Sequence, residues 1–339
     1  MTRAAPVRHL LVALDGSRLS ETSLSVACLL AHTLPARLTL LHVLEVRAPQ
    51  RVHGEPHLRT AEEARRYLEE LATRLRGEGL TVEARVGEAP AAGPHPERSP
   101  GSPQKSLRDL WGGLDVAASI AAEASELGAD VVVLAAHGWG GLRAQILGHV
   151  PQQVLVRSTR PVLLVPVPGR FSGHIRTVLV PVDPQGEARA ALPWAEEIAA
   201  GSGARVHLVT VVPTPATVPP EDAASAVFLP QATGAVLELA SEAAREALHQ
   251  LQASLREQGI QVEAQIRRGE VVHELTAAVA DCQPDLVVMA THARGGWDSF
   301  WAGSVVARFT PSLTVPVLLV PVGAEDAPRA AERQPSPRA

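Results

Sequence analysis

Two glycine-containing stretches hold the residue types in this chain that could bind phosphate. They run from His137 to Pro166 and from His292 to Pro321, and they align without a gap. Both contain Gly-x-Val followed by apolar residues at helical spacing, and both close with Pro-Val-Leu-Leu-Val-Pro. A glycine loop that leads into a helix presents unpaired N–H groups and the positive end of the helix dipole. Such a loop suits an anion such as phosphate.

The elements around these loops follow a repeating order. The apolar runs before them, Val131–Leu134 and Leu286–Met289, predict buried parallel strands. In the first half, strands are also predicted at His9–Leu14, Arg37–Val43 and Leu80–Val86, the last one at a sheet edge. Five strands alternating with four helices predict a doubly wound parallel α/β sheet.

The same order restarts after residue 174, which indicates an internal duplication. Asp15 and Asp183 each follow a first strand, and the same offset of 168 residues relates Val43 to Val211. We therefore predict two tandem five-stranded, Rossmann-like domains, residues 1–168 and 174–323. The first has a Pro-, Gly- and Ser-rich insertion at 89–113, which we expect to be a mobile surface loop, and the second has a longer loop at 213–234. The polar tail, 324–339, is predicted to be disordered.

Composition and motifs exclude several classes of function. The chain has 339 residues, 46% of them hydrophobic, and a net charge of −5, which leaves no electrostatic footprint for nucleic acid. No apolar stretch approaches the roughly 18 residues that a membrane span needs, and Asp15 interrupts the N-terminal apolar run, so we expect a soluble, cytoplasmic protein. Lys105 is the only lysine, so no Walker motif exists. We see no Ser-His-Asp arrangement and predict no catalytic residues.

The histidines do not predict a metal site. His42, His53, His57 and His95 are scattered along the first half. They lack the spacing of metal ligands, so we interpret them as solvent or core histidines.

In its two glycine-containing loops and in the Asp that follows the first strand of each half, the chain resembles a tandem universal stress protein. Nucleotide-binding members of that family carry Gly-x2-Gly-x9-Gly-Ser/Thr after the fourth strand. The resemblance implies a five-stranded α/β fold and ATP or another adenine nucleotide as ligand, accompanied by Mg²⁺. Asp15 or Asp183 would meet the ribose or adenine, and the glycine amides would hold the phosphates. The resemblance also implies domain pairing through the last strands, Pro161–Pro166 and Pro316–Pro321.

The match to the family motif is incomplete in both halves. The first has Ala135, Gly138, Gly148 and His149, and the second has Ala290, Ala293, Gly303 and Ser304. We favour the first, because its two glycines let the backbone approach phosphate. The expected nucleotide-binding residues are Ala13, Asp15, Val43, Leu134, Ala135, Gly138, Gly148, His149 and Val150 in domain one, and Pro181, Asp183, Val211, Ala290, Gly303, Ser304 and Val305 in domain two.

Several interpretations stay open at this level. The two Asp residues could cap the first helix of each domain instead of contacting a ligand, and the glycines could simply form a tight turn. We interpret the chain as a stress-response protein that binds ATP as a sensor or regulator. The alternative is an interaction scaffold with degenerate pockets that bind no nucleotide. A slow nucleotide hydrolase is a third reading, for which we see no general base. A homodimer of two chains is also consistent with the sequence.

Overall fold

The computed structural model describes residues 7–45, 50–88, 116–137, 148–183, 190–218, 228–291 and 305–322. The predicted insertion and tail lie outside these ranges. So do Gly138, Ala293, Gly303 and Ser304 of the glycine loops.

Within the described ranges there are twelve strands and eight α-helices, and all of them except the two strands of a short hairpin follow the predicted order. The strands are β1 His9–Ala13, β2 Arg37–Leu44, β3 Arg51–Val52, β4 Glu55–Pro56, β5 Val82–Glu88, β6 Val131–His137, β7 Val162–Val167, β8 Thr177–Pro181, β9 Arg205–Val212, β10 Val262–Arg268, β11 Leu286–Thr291 and β12 Val317–Pro321. The helices are α1 Arg18–Thr33, α2 Ala61–Gly77, α3 Val116–Glu126, α4 His149–Arg157, α5 Leu192–Ser202, α6 Pro230–Glu257, α7 Val271–Cys282 and α8 Val305–Phe309, with a 3-10 turn at Thr310–Ser312.

Ten of the described strands form one sheet in the order β10-β9-β8-β11-β12-β7-β6-β1-β2-β5. Neighbouring strands within each half are parallel. In the first half the chain moves from β1 outward to β2 and β5, and then returns to the other side of β1 with β6 and β7. This order confirms the predicted doubly wound α/β fold, with β5 at an outer edge.

Alternating apolar residues along the strands bury both faces of the sheet. Leu10 and Val12 of β1 pack with the layer that contains α1, α2, α5 and α6, whereas Leu11 packs with the layer that contains α3, α4, α7 and α8. Strands covered on both faces are expected to be almost continuously apolar, as these are.

The two halves meet at the centre of the sheet. Strand β12 pairs antiparallel with β7, and Leu164 lies opposite Val317. On one face of the sheet, α5 packs closely against the end of α1. A Cβ added to Gly201 of α5 would stand only 2.8 Å from the Thr33 carbonyl oxygen.

The structure adds one feature to the predicted order and corrects one expectation. Strands β3 and β4, which the sequence analysis did not predict, form a small antiparallel hairpin after β2. The long loop predicted at 213–234 was wrong at its end, because α6 already begins at Pro230. Gly234 lies inside this helix, since a glycine costs only about 1 kcal/mol there and does not force a break.

Candidate functional site

The candidate site lies where the strand order of the first domain reverses, between β1 and β6. In open α/β sheets, ligands bind outside the carboxyl ends of strands at such a switch point. Ala13 ends β1 and is half-buried, and Asp15 follows it. Leu134 and Ala135 lie buried in β6, the neighbouring strand, and buried Val43 belongs to β2 on the other side. The fold thus brings these predicted residues to one edge.

Helix α4 presents its N-terminus at this same edge, because it leads from the end of β6 back to the start of β7. Gly148 is its buried N-cap residue, and His149 begins the helix with an exposed side chain. The first amides of a helix lack partners within it. Pro151 has no N–H, so the donors offered by this first turn come from Gly148, His149 and Val150.

Asp15 is held by the start of α1. Its Oδ1 accepts hydrogen bonds from the Ser17 backbone N–H (2.9 Å) and the Ser17 hydroxyl (2.6 Å). Ser17 is the N-cap residue, and its hydroxyl accepts from the Ser20 N–H. Asp15 therefore orients the cap and is not itself the cap. Burial acts to raise the pKa of Asp15, but the hydrogen bonds from Ser17 and Ser20 hold that pKa below its ordinary value.

The β3–β4 hairpin reaches over the turn that contains Asp15. His53 and Gly54 both have positive φ, which gives a two-residue hairpin turn. The turn brings His53 Nε2 to 3.4 Å from Asp15 Oδ2. Glu55 accepts a hydrogen bond from the Arg18 N–H at 2.8 Å. About 31% of the Asp15 side chain is exposed.

Gly16 is required by this arrangement. Its φ is +87°, and a Cβ added to it would stand 2.8 Å from Leu58, which follows the hairpin. A side chain here would meet both backbone strain and a packing conflict.

Two further histidines lie beneath the hairpin. His42 Nδ1 donates to the Leu14 carbonyl (2.8 Å), and the His42 ring centroid is 5.9 Å from that of His57. His57 Nε2 is 3.6 Å from Glu45. Burial lowers the pKa of His42, whereas the contact with Glu45 raises the pKa of His57. His42 Nε2 is buried without a hydrogen-bond partner among the described residues.

Sequence reasoning missed this gathering of His42, His53 and His57. The missed signal was the dipeptide His53-Gly54, since His tolerates positive φ better than most residues and Gly favours it. The four histidines are scattered along the sequence, but three of them converge on one end of the sheet. His95 lies outside the described residues. Within the described ranges, no group of three or more His, Cys, Asp or Glu side chains could hold a metal ion.

The second domain repeats part of this geometry. Pro181 ends β8, and Asp183 follows it with an exposed side chain. The buried Thr210 hydroxyl donates to the Val182 carbonyl at 2.9 Å, as His42 does to Leu14 in the first domain. Val211 in β9 and Ala290 in β11 are half-buried, and Val305 begins α8.

The fold, with the candidate site at the carboxyl ends of its strands, defines the class of protein. The chain consists of doubly wound α/β domains repeated in tandem. The sequence model of the universal stress protein family matches residues 6–94, 108–166 and 174–321, so the chain belongs to that family. The first two segments lie in the first domain and leave only residues 95–107 of the insertion unmatched, and the third covers most of the second domain. The tandem arrangement read from the sequence is thereby supported.

Individual relatives agree with the family assignment. The universal stress protein YxiE of Bacillus subtilis strain 168 is 28% identical over 160 residues, which are 46% of this chain and 97% of YxiE. A protein of unknown function from Pseudomonas aeruginosa PAO1 has a similar structure, with a TM-score of 0.65 and 19% identity over 95% of this chain and 96% of its own.

A universal stress protein from Archaeoglobus fulgidus DSM 4304 gives a TM-score of 0.62 at 14% identity, over 94% of this chain and 97% of its own. At these identities the structural likeness concerns the fold. Over the ranges that the structure describes, no helix is long and apolar enough to cross a membrane.

Proposed function

We propose that this universal stress protein binds an adenine nucleotide, ATP with Mg²⁺, in its first domain and acts as a sensor or regulator rather than as an enzyme. The observation that carries the proposal is the convergence of Asp15 and the N-terminus of α4 at the switch point between β1 and β6. A carboxylate suits ribose hydroxyl groups, and helix amides suit phosphates.

The hydrogen-bonding groups and small side chains of the described residues suit such a ligand. Asp15 Oδ2, which lies 3.4 Å from His53 Nε2, can accept from a hydroxyl group, while Ser17 donates to Oδ1. Small Ala13 and Ala135 leave room beside the strand ends. Mg²⁺ usually keeps several waters and is held mainly by substrate phosphates, so we assign it no protein ligand. Gly138, which we expect to let the backbone approach phosphate, lies outside the described residues.

The first domain is the preferred site. In the second domain the first two motif glycines are replaced by Ala290 and Ala293. A β-carbon at such positions restricts the backbone and fills space near a phosphate.

Equilibrium binding of a fluorescent ATP analogue, with and without Mg²⁺, tests the proposal. Gly138→Val should abolish binding. Asp15→Asn should weaken binding by about tenfold, because the amide oxygen can still accept from Ser17 while the charge is lost. The matched variant Asp183→Asn should bind like the wild type. Equal affinity in the wild type and Gly138→Val would refute the site, and absence of nucleotide binding by the wild type would favour the interaction scaffold.

A further inference from the structure

The β3–β4 hairpin lies over the turn that joins β1 to α1, and the proposed function gives it no role. Its tip makes two polar contacts with this turn. His53 Nε2 lies 3.4 Å from Asp15 Oδ2. Glu55 accepts a hydrogen bond from the Arg18 N–H at 2.8 Å. The hairpin is therefore docked at the same carboxylate that the proposed nucleotide would have to reach.

The base of the hairpin is held more firmly than its tip. At the base, the His57 N–H donates to the Gln50 carbonyl at 3.1 Å, and the buried His57 ring packs beside His42. At the tip, β3 and β4 have only two residues each. A two-stranded hairpin is at best marginally stable by itself, so the order of the tip depends on its contacts with the turn below. The tip can therefore lift while the base stays in place.

The tip covers the oxygen of Asp15 that is left for a ligand. Oδ1 already accepts from the Ser17 N–H and from the Ser17 hydroxyl, which together fix the plane of the carboxylate. His53 is therefore not needed to orient Asp15, and its imidazole lies against Oδ2 with only 19% of the side chain exposed. Asp183, the counterpart of Asp15 in the second domain, has an exposed side chain.

We propose that the β3–β4 hairpin is an autoinhibitory strap. While its tip is docked, His53 covers Oδ2 of Asp15, and an adenine nucleotide reaches this oxygen only after the tip lifts. The inference rests on the proposed function and adds a regulation of the same site. The apparent affinity for nucleotide is then the intrinsic affinity multiplied by the fraction of molecules with a lifted tip. By linkage, bound nucleotide must in turn favour the lifted tip.

The first test removes the contacts of the tip and measures binding of the fluorescent ATP analogue. In His53→Asn the turn is kept, because Asn-Gly is a preferred two-residue hairpin turn, but the imidazole is lost. A partly buried polar contact of this kind changes an equilibrium about three- to tenfold. His53→Asn should therefore bind about three- to tenfold more tightly than the wild type, and Glu55→Ala should change the affinity in the same direction. Glu62→Ala removes the same charge from an exposed position on α2 and should bind like the wild type.

The second test follows the tip itself by limited proteolysis with trypsin. Arg51 is exposed in β3, and cleavage after it requires the tip to leave the turn. Without nucleotide, His53→Asn and Glu55→Ala should be cleaved there about three- to tenfold faster than the wild type. Saturating ATP with Mg²⁺ should accelerate this cleavage in the wild type. Mass spectrometry identifies the fragment that ends at Arg51, and circular dichroism checks that each variant folds.

The outcomes separate the strap from the proposed function. If the wild type binds nucleotide, the strap alone is refuted by equal or weaker binding to His53→Asn, by ATP that slows cleavage at Arg51, or by equal cleavage of all variants without nucleotide. Binding to His53→Asn but not to the wild type would support a strap that is closed in nearly all molecules. If neither binds, the proposed function fails and the strap fails with it.

Discussion

The contact between the two domains can be tested with one methyl group, by replacing Gly201 with Ala. Gly201 lies in the last turn of α5, and a Cβ there would stand 2.8 Å from the Thr33 carbonyl oxygen and 3.1 Å from the side chains of Thr33 and Leu34. Because the nearest atom belongs to the backbone at the end of α1, it cannot turn away as a side chain could. One domain would have to shift relative to the other.

Whether Gly201→Ala stabilises or destabilises the chain depends on the contact between α5 and α1. In a solvated helix, Gly→Ala stabilises by about 0.5–1 kcal/mol, because alanine loses less conformational entropy on folding. Overpacking of a close contact costs about 1–3 kcal/mol. If the domains pack as in the structure, the second effect exceeds the first, and Gly201→Ala lowers the free energy of unfolding by about 1 kcal/mol.

Gly77→Ala is the matched control, because Gly77 ends α2 and no described atom lies within 4 Å of its added Cβ. Urea unfolding followed by circular dichroism should therefore separate the two variants by about 1.5–2 kcal/mol, with Gly77→Ala above the wild type and Gly201→Ala below it. Thermal melting should show Gly201→Ala lower by about 2–4 °C. If Gly201→Ala stabilises the chain as much as Gly77→Ala does, α5 does not pack against α1 in solution.

Three other predictions follow from the same elements. Leu164→Arg combined with Leu319→Arg should separate the domains and increase dye binding to apolar surface, because both side chains are buried beside the β7–β12 pairing; an unchanged X-ray scattering profile with cooperative melting would contradict this. Replacing 89–113 with a short Gly-Ser linker should leave the melting temperature nearly unchanged, and a large drop would show that the insertion docks on the core. Glu45 raises the pKa of His57, so the stabilisation is full below about pH 6.5 and is lost as the pH rises through the folded-state pKa. His57→Gln should accordingly cost more stability at pH 6 than at pH 9, and an equal cost at both would exclude the charged contact.

Much of the architecture could be predicted from the sequence, because its signals are local. The apolar run at His9–Leu14 predicts a strand, and the strand occupies His9–Ala13. Apolar spacing likewise predicts the helix that became α2, whose cap Thr60 and third residue Glu63 form a capping box. The constant offset between the halves predicts that the second domain repeats the first, and the family match supports the tandem arrangement.

Other elements depended on contacts that no local pattern reveals. The start of α6 at Pro230 was missed because Gly234 reads as a helix breaker, whereas a helix that is anchored by Arg268 and Ser241 tolerates it.

The surroundings of Asp15 show the division between sequence and tertiary structure. The sequence by itself determined that an Asp follows the first strand, because the apolar run ends there, and that a helix begins soon after. Only the tertiary structure decided which groups contact the Asp15 carboxylate. These are Ser17, just before α1, and His53 of the hairpin. The physical reason is that burial in a strand depends on neighbouring residues, whereas the environment of a polar side chain at a sheet edge depends on distant segments that converge there.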